Sequence, residues 1–193
     1  MNFLAHLYLA PDDDEALLGS LMGDFVKGPL RGDHAPGIER GLALHRRIDV
    51  FTDAHGVVRR SRGRIGPDRR RYAGIMVDMF YDHYLARDWT RFAAQPLDQF
   101  ARRVYALLAA HRDRLPVPLQ RIAPVMSRQD WLSSYRETLA VSRALERMGE
   151  RLKRGNALLG AGADLADNYA GLGEDFHEFF PQLIAFAHAA RSG

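Results

Sequence analysis

Tyr72-Ala73-Gly74-Ile75-Met76-Val77-Asp78-Met79-Phe80-Tyr81-Asp82-His83-Tyr84-Leu85 is the stretch that sets the class of this chain. Ile75, Met76, Val77, Met79, Phe80 and Tyr84 leave it no polar stripe, so it reads as a helix that is apolar nearly all round and must be buried. Apart from tyrosines, its only ionisable groups are Asp78, Asp82 and His83. Asp78 and Asp82 stand four apart and share a helix face. A buried, unpaired carboxylate costs several kcal/mol or shifts its pKa until it is neutral. Two of them one turn apart therefore call for a cation nearby, supplied by an arginine or by a metal.

The same four-residue spacing recurs upstream as Asn2/His6, Ser20/Asp24 and His45/Asp49, each pair inside an otherwise apolar segment. Stripes with a 3.6-residue period run through the chain and no convincing two-residue alternation of β-branched residues interrupts them. The expectation is an all-α fold of about eight or nine helices in a single domain, 1–193, with its functional site built mainly from residues 1–90. Pro11 stops a first helix that begins near Asn2, and Asp12 to Glu15 cap a second that runs to the stop signal Lys27-Gly28-Pro29. Asp24 then falls in the last turns of its helix, where the dipole disfavours an anion. Pro36 opens the helix of His45 and Asp49. Thr52 or Asp53 caps the next, and Asp68 begins the buried one. Pro96 precedes an amphipathic segment to Arg114, and Ser127 to Asp130 resembles a capping box before Trp131. Residues 156–190 read as two closing helices.

With 47% hydrophobic and 26% charged residues, the composition is ordinary for a globular domain. No cysteine is present, which removes disulfides, thiolate metal sites and cysteine nucleophiles. Ligands must come from His, Asp and Glu, a donor set suited to Mn²⁺, Mg²⁺, Fe²⁺ or Zn²⁺. The opening residues lack the basic region of a signal peptide, and no run approaches the roughly 18 apolar residues of a membrane span. A cytoplasmic protein without membrane contact is expected.

Lys27 and Lys153 are the only lysines, and the remaining positive charge is arginine. Arg59, Arg60, Arg62, Arg64, Arg69, Arg70 and Arg71 crowd one segment. A solvated helix face is the common reason for such a run, and docking of an acidic partner is the functional one.

The metal-ligand candidates are thus His6, Asp24, His45, Asp49, Asp78 and Asp82, with His83 beside them as core residue, ligand or acid catalyst. A lone histidine such as His6 is more often a hydrogen-bonded core residue. His45 with Asp49 offers a nitrogen and a carboxylate that either ligates or orients the ring. Asp53 and His55 read as capping and surface residues. The chain has no Walker loop, dinucleotide fingerprint, nucleophile elbow or His-Glu-x-x-His motif.

Four blocks carry a resemblance: Asn2-Phe3-Leu4-Ala5-His6-Leu7, Gly23-Asp24-Phe25-Val26-Lys27-Gly28, His45-Arg46-Arg47-Ile48-Asp49 with Thr52-Asp53, and Asp78 with Tyr81-Asp82-His83. In order and spacing the chain resembles the bacterial acyl carrier protein phosphodiesterases, and the aromatic tail Phe176 to Pro181 fits too. The resemblance implies an all-helical, HD-like metal-dependent phosphohydrolase using Mn²⁺ or a similar ion. It implies removal of 4′-phosphopantetheine from the serine of holo-acyl carrier protein. No adjacent His-Asp dipeptide occurs here, and the nearest is the reversed Asp82-His83. Asp24, His45, Asp49, Asp78 and Asp82 are the principal residues carried over, with Asp24, Asp78 and His83 as catalytic candidates. Since the implied substrate is a small acidic protein, Arg59, Arg60, Arg69, Arg70 and Arg71 become docking candidates.

Two rival readings remain at this level. One keeps the metal and changes the substrate to a nucleotide or other small phosphoester. The other is a non-enzymatic arginine-rich nucleic-acid-binding module, which leaves the buried acids without a purpose, so no nucleic-acid partner is expected.

Overall fold

Prolines and caps punctuate the chain into helices, seen in a computed structural model that describes residues 1–150 and 158–192. Among these residues the α-helices are α1 (Phe3–Leu9), α2 (Asp14–Met22), α3 (Pro36–Ala54), α4 (Gly56–Gly63), α5 (Ala73–Arg87), α6 (Leu97–Ala110), α7 (Val117–Arg128), α8 (Trp131–Ser134), α9 (Thr138–Gly149), α10 (Gly162–Asp167) and α11 (Tyr169–Ser192). No strand occurs among them, and no helix is long and apolar enough to cross a membrane. The all-α expectation holds, with more and shorter helices than the eight or nine expected.

Several boundaries follow the sequence signals. Asp13 caps α2 by accepting from the Ala16 N–H at 2.8 Å, and Pro36 occupies the first turn of α3. Others differ for identifiable reasons. α2 ends at Met22 rather than near Lys27, so Asp24 lies in the turn just beyond its C-terminus rather than within the helix. Thr52 and Asp53 are inside α3, and the cap of α4 is His55, whose Nδ1 accepts from Val57 N–H at 3.3 Å. Asp68 starts only a 3-10 turn, Pro67–Tyr72, ahead of α5. No capping box precedes α8, because Ser127 and Arg128 still belong to α7 and Asp130 adopts a left-handed φ of 43°. α10 and α11 are the closing helices, and the expected start at Asn156 lies outside the described residues.

α5 is the central helix, with buried side chains on nearly every face from Met76 to Ala86. It packs against α1, α4, α9 and α11. An aromatic seam ties these together: Tyr84 stacks on Phe176 at 5.8 Å between ring centroids, Phe176 on Phe180 at 4.9 Å, and Tyr8 meets Phe180 at 5.6 Å. Each such ring contributes roughly 1.5–3 kcal/mol through burial, with a smaller gain from ring geometry.

The closest helix approach is between α2 and α3, and it is made by glycine. A Cβ on Gly19 would sit 2.1 Å from the Ile38 carbonyl oxygen, and one on Gly41 would sit 2.3 Å from that of Ala16. Without these two glycines the backbones could not meet, and the side chains α3 carries would stand off from α2.

Candidate metal centre

His45 projects from α3 toward the end of α2, where its Nδ1–H donates to the Ser20 carbonyl at 2.8 Å. That bond fixes the tautomer and aims Nε2 away from the helix. Nε2 lies 3.2 Å from Asp49 Oδ2, one turn along the same helix, and 3.7 Å from Asp24 Oδ1. Gly23 makes room for the ring, since a Cβ there would approach its Cγ to 2.2 Å.

His6 enters from α1. Ser20 holds this helix as well, its hydroxyl donating to the His6 carbonyl at 2.9 Å. The two imidazoles stack, with centroids 3.6 Å apart and planes 12° apart. His6 Nε2 stands 3.1 Å from Asp49 Oδ1. The ring is 1% exposed, and neither of its nitrogens has a hydrogen-bond partner of good geometry.

The electrostatics divide the two histidines. Burial holds His6 down at about 4, so it is neutral. At His45 burial also disfavours charge, but contacts with the Asp24 and Asp49 carboxylates outweigh it and raise its pKa to about 9. Burial would raise Asp49 and Asp24, yet the imidazoles beside them hold both below the usual carboxylate range. The arrangement is therefore two anions facing two imidazole nitrogens that only a proton or a metal cation can reconcile.

A metal fits on three observations. His6, His45 and Asp49 each offer an atom within 4.8 Å of the others. The buried His6 nitrogens make no well-formed hydrogen bond, and the one side chain near them is the Asp49 carboxylate, 3.1 Å from Nε2. Two imidazoles with a carboxylate are a donor set for first-row divalent ions. Asp24 and Asp78 flank this group, with side chains 48% and 26% exposed, so the cluster is open to solvent on their side. Asp78 Oδ1 lies 3.4 Å from the Met1 amino nitrogen, which also reaches Asp49 Oδ1 at 3.4 Å, and burial raises the Asp78 pKa.

Two expected site residues have other work. Asp82 is 0% exposed, and its two oxygens accept from the N–H groups of Leu4 at 2.8 Å and Ala5 at 3.0 Å. It caps α1 across 77 residues of chain, which Asn2 at the N-cap position does not do. Backbone donors bond this carboxylate, the Met1 ammonium adds its attraction, and burial pushes it up to about 7 despite them. His83 points 100° away along α5. Its Nδ1–H donates to the Tyr135 carbonyl at 2.8 Å and its Nε2 accepts from the Tyr169 hydroxyl at 2.8 Å, while burial lowers its pKa. Both nitrogens are thus engaged by groups outside the His6–His45–Asp49 cluster. In contrast His6, which sequence ranked with His83 behind the principal candidates, lies against His45 and Asp49.

The arginine cluster is largely neutralised by acids distant in sequence. Arg60 pairs with Asp175 at 2.7 Å and Glu178 at 2.5 Å, Arg64 with Asp175 at 2.9 Å, and Arg69 with Asp164 at 3.0 Å. Arg62 pairs with Asp53 at 2.5 Å, and Arg59 donates to the Ala54 carbonyl at 2.6 Å. Arg70 and Arg71 remain exposed and, with Arg59 and Arg62, border an open basin. Composition gave no sign of Asp175 as the hub of this network, or of Gly23 and Ser20 as the fixtures of His45. Their partners are identified only by folding.

Comparison with known proteins places these features in a family. The family model described as acyl carrier protein phosphodiesterase matches residues 1–183. A protein of Yersinia enterocolitica named acyl carrier protein phosphodiesterase is 35% identical over 188 residues, 97% of each chain. One of Klebsiella pneumoniae with the same name is 37% identical over 188 residues, again 97% of each. One of Serratia proteamaculans, likewise named, is 35% identical over 185 residues, 95% of this chain and 96% of its own. No solved structure matches.

Proposed function

The chain belongs to the acyl carrier protein phosphodiesterase family, and on that footing we propose that it hydrolyses the phosphodiester joining 4′-phosphopantetheine to the serine of holo-acyl carrier protein, releasing the apo form. The observation that carries the chemistry is the convergence of His6, His45 and Asp49 within 4.8 Å. We assign these three as the ligands of a divalent ion, with Mn²⁺ as first choice and Mg²⁺ or Fe²⁺ as alternatives. When bound there, such an ion neutralises phosphate charge and acidifies a water molecule.

The remaining roles fall to the chain's own side chains. Asp24, ionised at neutral pH and half-exposed beside His45, takes the proton of the attacking water and returns it to the departing serine oxygen. The hydroxyl goes to phosphorus as the P–O(serine) bond breaks, so atoms balance. Asp78, at the other flank, orients groups in the cleft. Asp82 holds α1, and through it His6, in register. Arg70 and Arg71, with Arg59, face the acidic carrier protein, while Arg60 and Arg69 act within the fold.

The test is to incubate holo-acyl carrier protein with the protein and Mn²⁺ and follow loss of the prosthetic group by mass. Conversion abolished by chelator and by Asp49→Ala supports the reading. Undiminished conversion in either case refutes the metal mechanism, and no conversion by the wild type refutes the reaction.

A further inference from the structure

Next to the metal centre lies a second, apolar cavity of about 310 Å³, bounded by Phe3 and Phe25 on one side and by Trp131, Tyr135, Ala144 and Met148 on the other. Its near wall is joined to the centre through the chain. Phe3 stands one turn before His6 on α1, Phe25 follows Asp24, and their rings stack at 6.5 Å with planes 9° apart. Phe25, Trp131, Ala144 and Met148 are only partly buried. A contiguous apolar surface of this kind, left open beside a polar centre, marks a binding site.

Its polar groups are few and fixed. Gln129 Oε1 accepts from Trp131 Nε1–H at 2.9 Å and so orients the indole, and the Ser134 hydroxyl is taken up as donor to the Trp131 carbonyl at 2.8 Å. The Tyr135 hydroxyl lies 3.5 Å from Asn2 Nδ2, next to α1. Apolar walls with isolated donors and acceptors suit an uncharged chain that alternates methyl-bearing carbon with amides. They do not suit a second phosphate, because among the described residues the only cation lining the cavity is Arg147, which lies over the Trp131 ring at 5.9 Å.

We propose that this cavity binds the pantetheine arm of the substrate and so selects a phosphodiester carrying that arm over other diesters. The inference rests on the reaction proposed above, which puts the phosphate at the metal centre. What then reaches a cavity starting at Phe3 and Phe25 is the part of the substrate joined directly to that phosphate. An acyl chain begins only beyond the sulfur, a full arm's length away, and so belongs elsewhere.

Binding is measured without catalysis. The full-length protein is titrated with pantetheine while Trp131 fluorescence is followed. The only other tryptophan, Trp89, is 3% exposed in a different part of the core, and Trp131→Phe identifies the signal. A saturable change is expected in the wild type. Ala144→Phe, which fills the cavity, is expected to weaken it about tenfold and to raise KM for holo-acyl carrier protein by a similar factor. Circular dichroism checks that the variant is folded, and if it is not, the wild-type titration decides. No saturable response to pantetheine overturns the proposal, as does full binding by folded Ala144→Phe, or a response to decanoate in place of pantetheine. Pantetheine binding without turnover of the carrier protein supports the cavity and counts against the reaction. Turnover with no pantetheine response overturns the cavity and leaves the reaction standing.

Discussion

His6 and His45 stack ring on ring at 3.6 Å, one arriving on α1 and the other on α3. Two protonated imidazoles at that distance would repel, so at most one carries charge and the pair favours a shared cation outside the stack. Replacing either ring by alanine is expected to abolish stoichiometric Mn²⁺ binding, measured by titration calorimetry. Because both rings are buried, each truncation also leaves a cavity that lowers Tm of the metal-free protein by several degrees. Retained one-to-one binding by His6→Ala would remove it from the ligand set.

Gly23→Ala tests the support of that stack. The added Cβ would enter the His45 ring, 2.2 Å from Cγ. The ring must move and its Nδ1–H bond to Ser20 must lengthen, so Mn²⁺ affinity is expected to fall about 10–100-fold, as for loss of other supporting bonds. Unchanged affinity with an intact helical spectrum would mean that His45 is not held as described.

Asp82 separates a capping role from a ligand role. Asp82→Ala leaves two buried N–H groups of α1 without acceptors and is expected to cost about 2 kcal/mol in urea unfolding. Metal stoichiometry should stay the same as in the wild type. Loss of the metal with unchanged stability would reverse the assignment.

Asp175 gives the expected acid response. Burial pushes its carboxyl up, but hydrogen bonds from Arg64, Ser61 and Arg60 outweigh this and hold it below the ordinary value. A depressed folded pKa contributes stability that is fully present above the unfolded value of about 3.9 and is lost as pH falls through the lower folded value. Asp175→Asn should therefore lower Tm by roughly 5 °C at pH 7, with the gap to wild type closing below about pH 4. Scanning calorimetry across that range measures it, and a gap independent of pH would contradict the ionic account.

The arginines should divide by partner. Arg70→Glu with Arg71→Glu is expected to raise KM for the carrier protein about tenfold and to flatten its salt dependence, with Tm unchanged. Arg69→Glu, which places an anion against Asp164, should instead lower Tm. Equal effects of all three on KM alone would show that the ion pairs are incidental.

Much of this was legible in residue order. The buried character of α5 followed from its lack of a polar stripe, the start of α3 from Pro36, and the candidacy of His45 and Asp49 from their four-residue spacing. Spacing within one helix is a local property, and local geometry reports it faithfully. The same logic made Asp82 a ligand candidate, because a buried carboxylate needs positive partners and nothing in α5 says that the backbone N–H groups of Leu4 and Ala5 come to face it.

The sequence by itself determined a helical chain with too many buried acids and histidines for packing alone. Only the tertiary structure decided which of them meet. Gly19 and Gly41 let α2 and α3 touch, Ser20 then binds both histidine-bearing helices, and His6 is drawn into the centre while His83 is turned out of it. Helical period sets the face on which a side chain stands, but close approach of backbones far apart in sequence sets what that face meets.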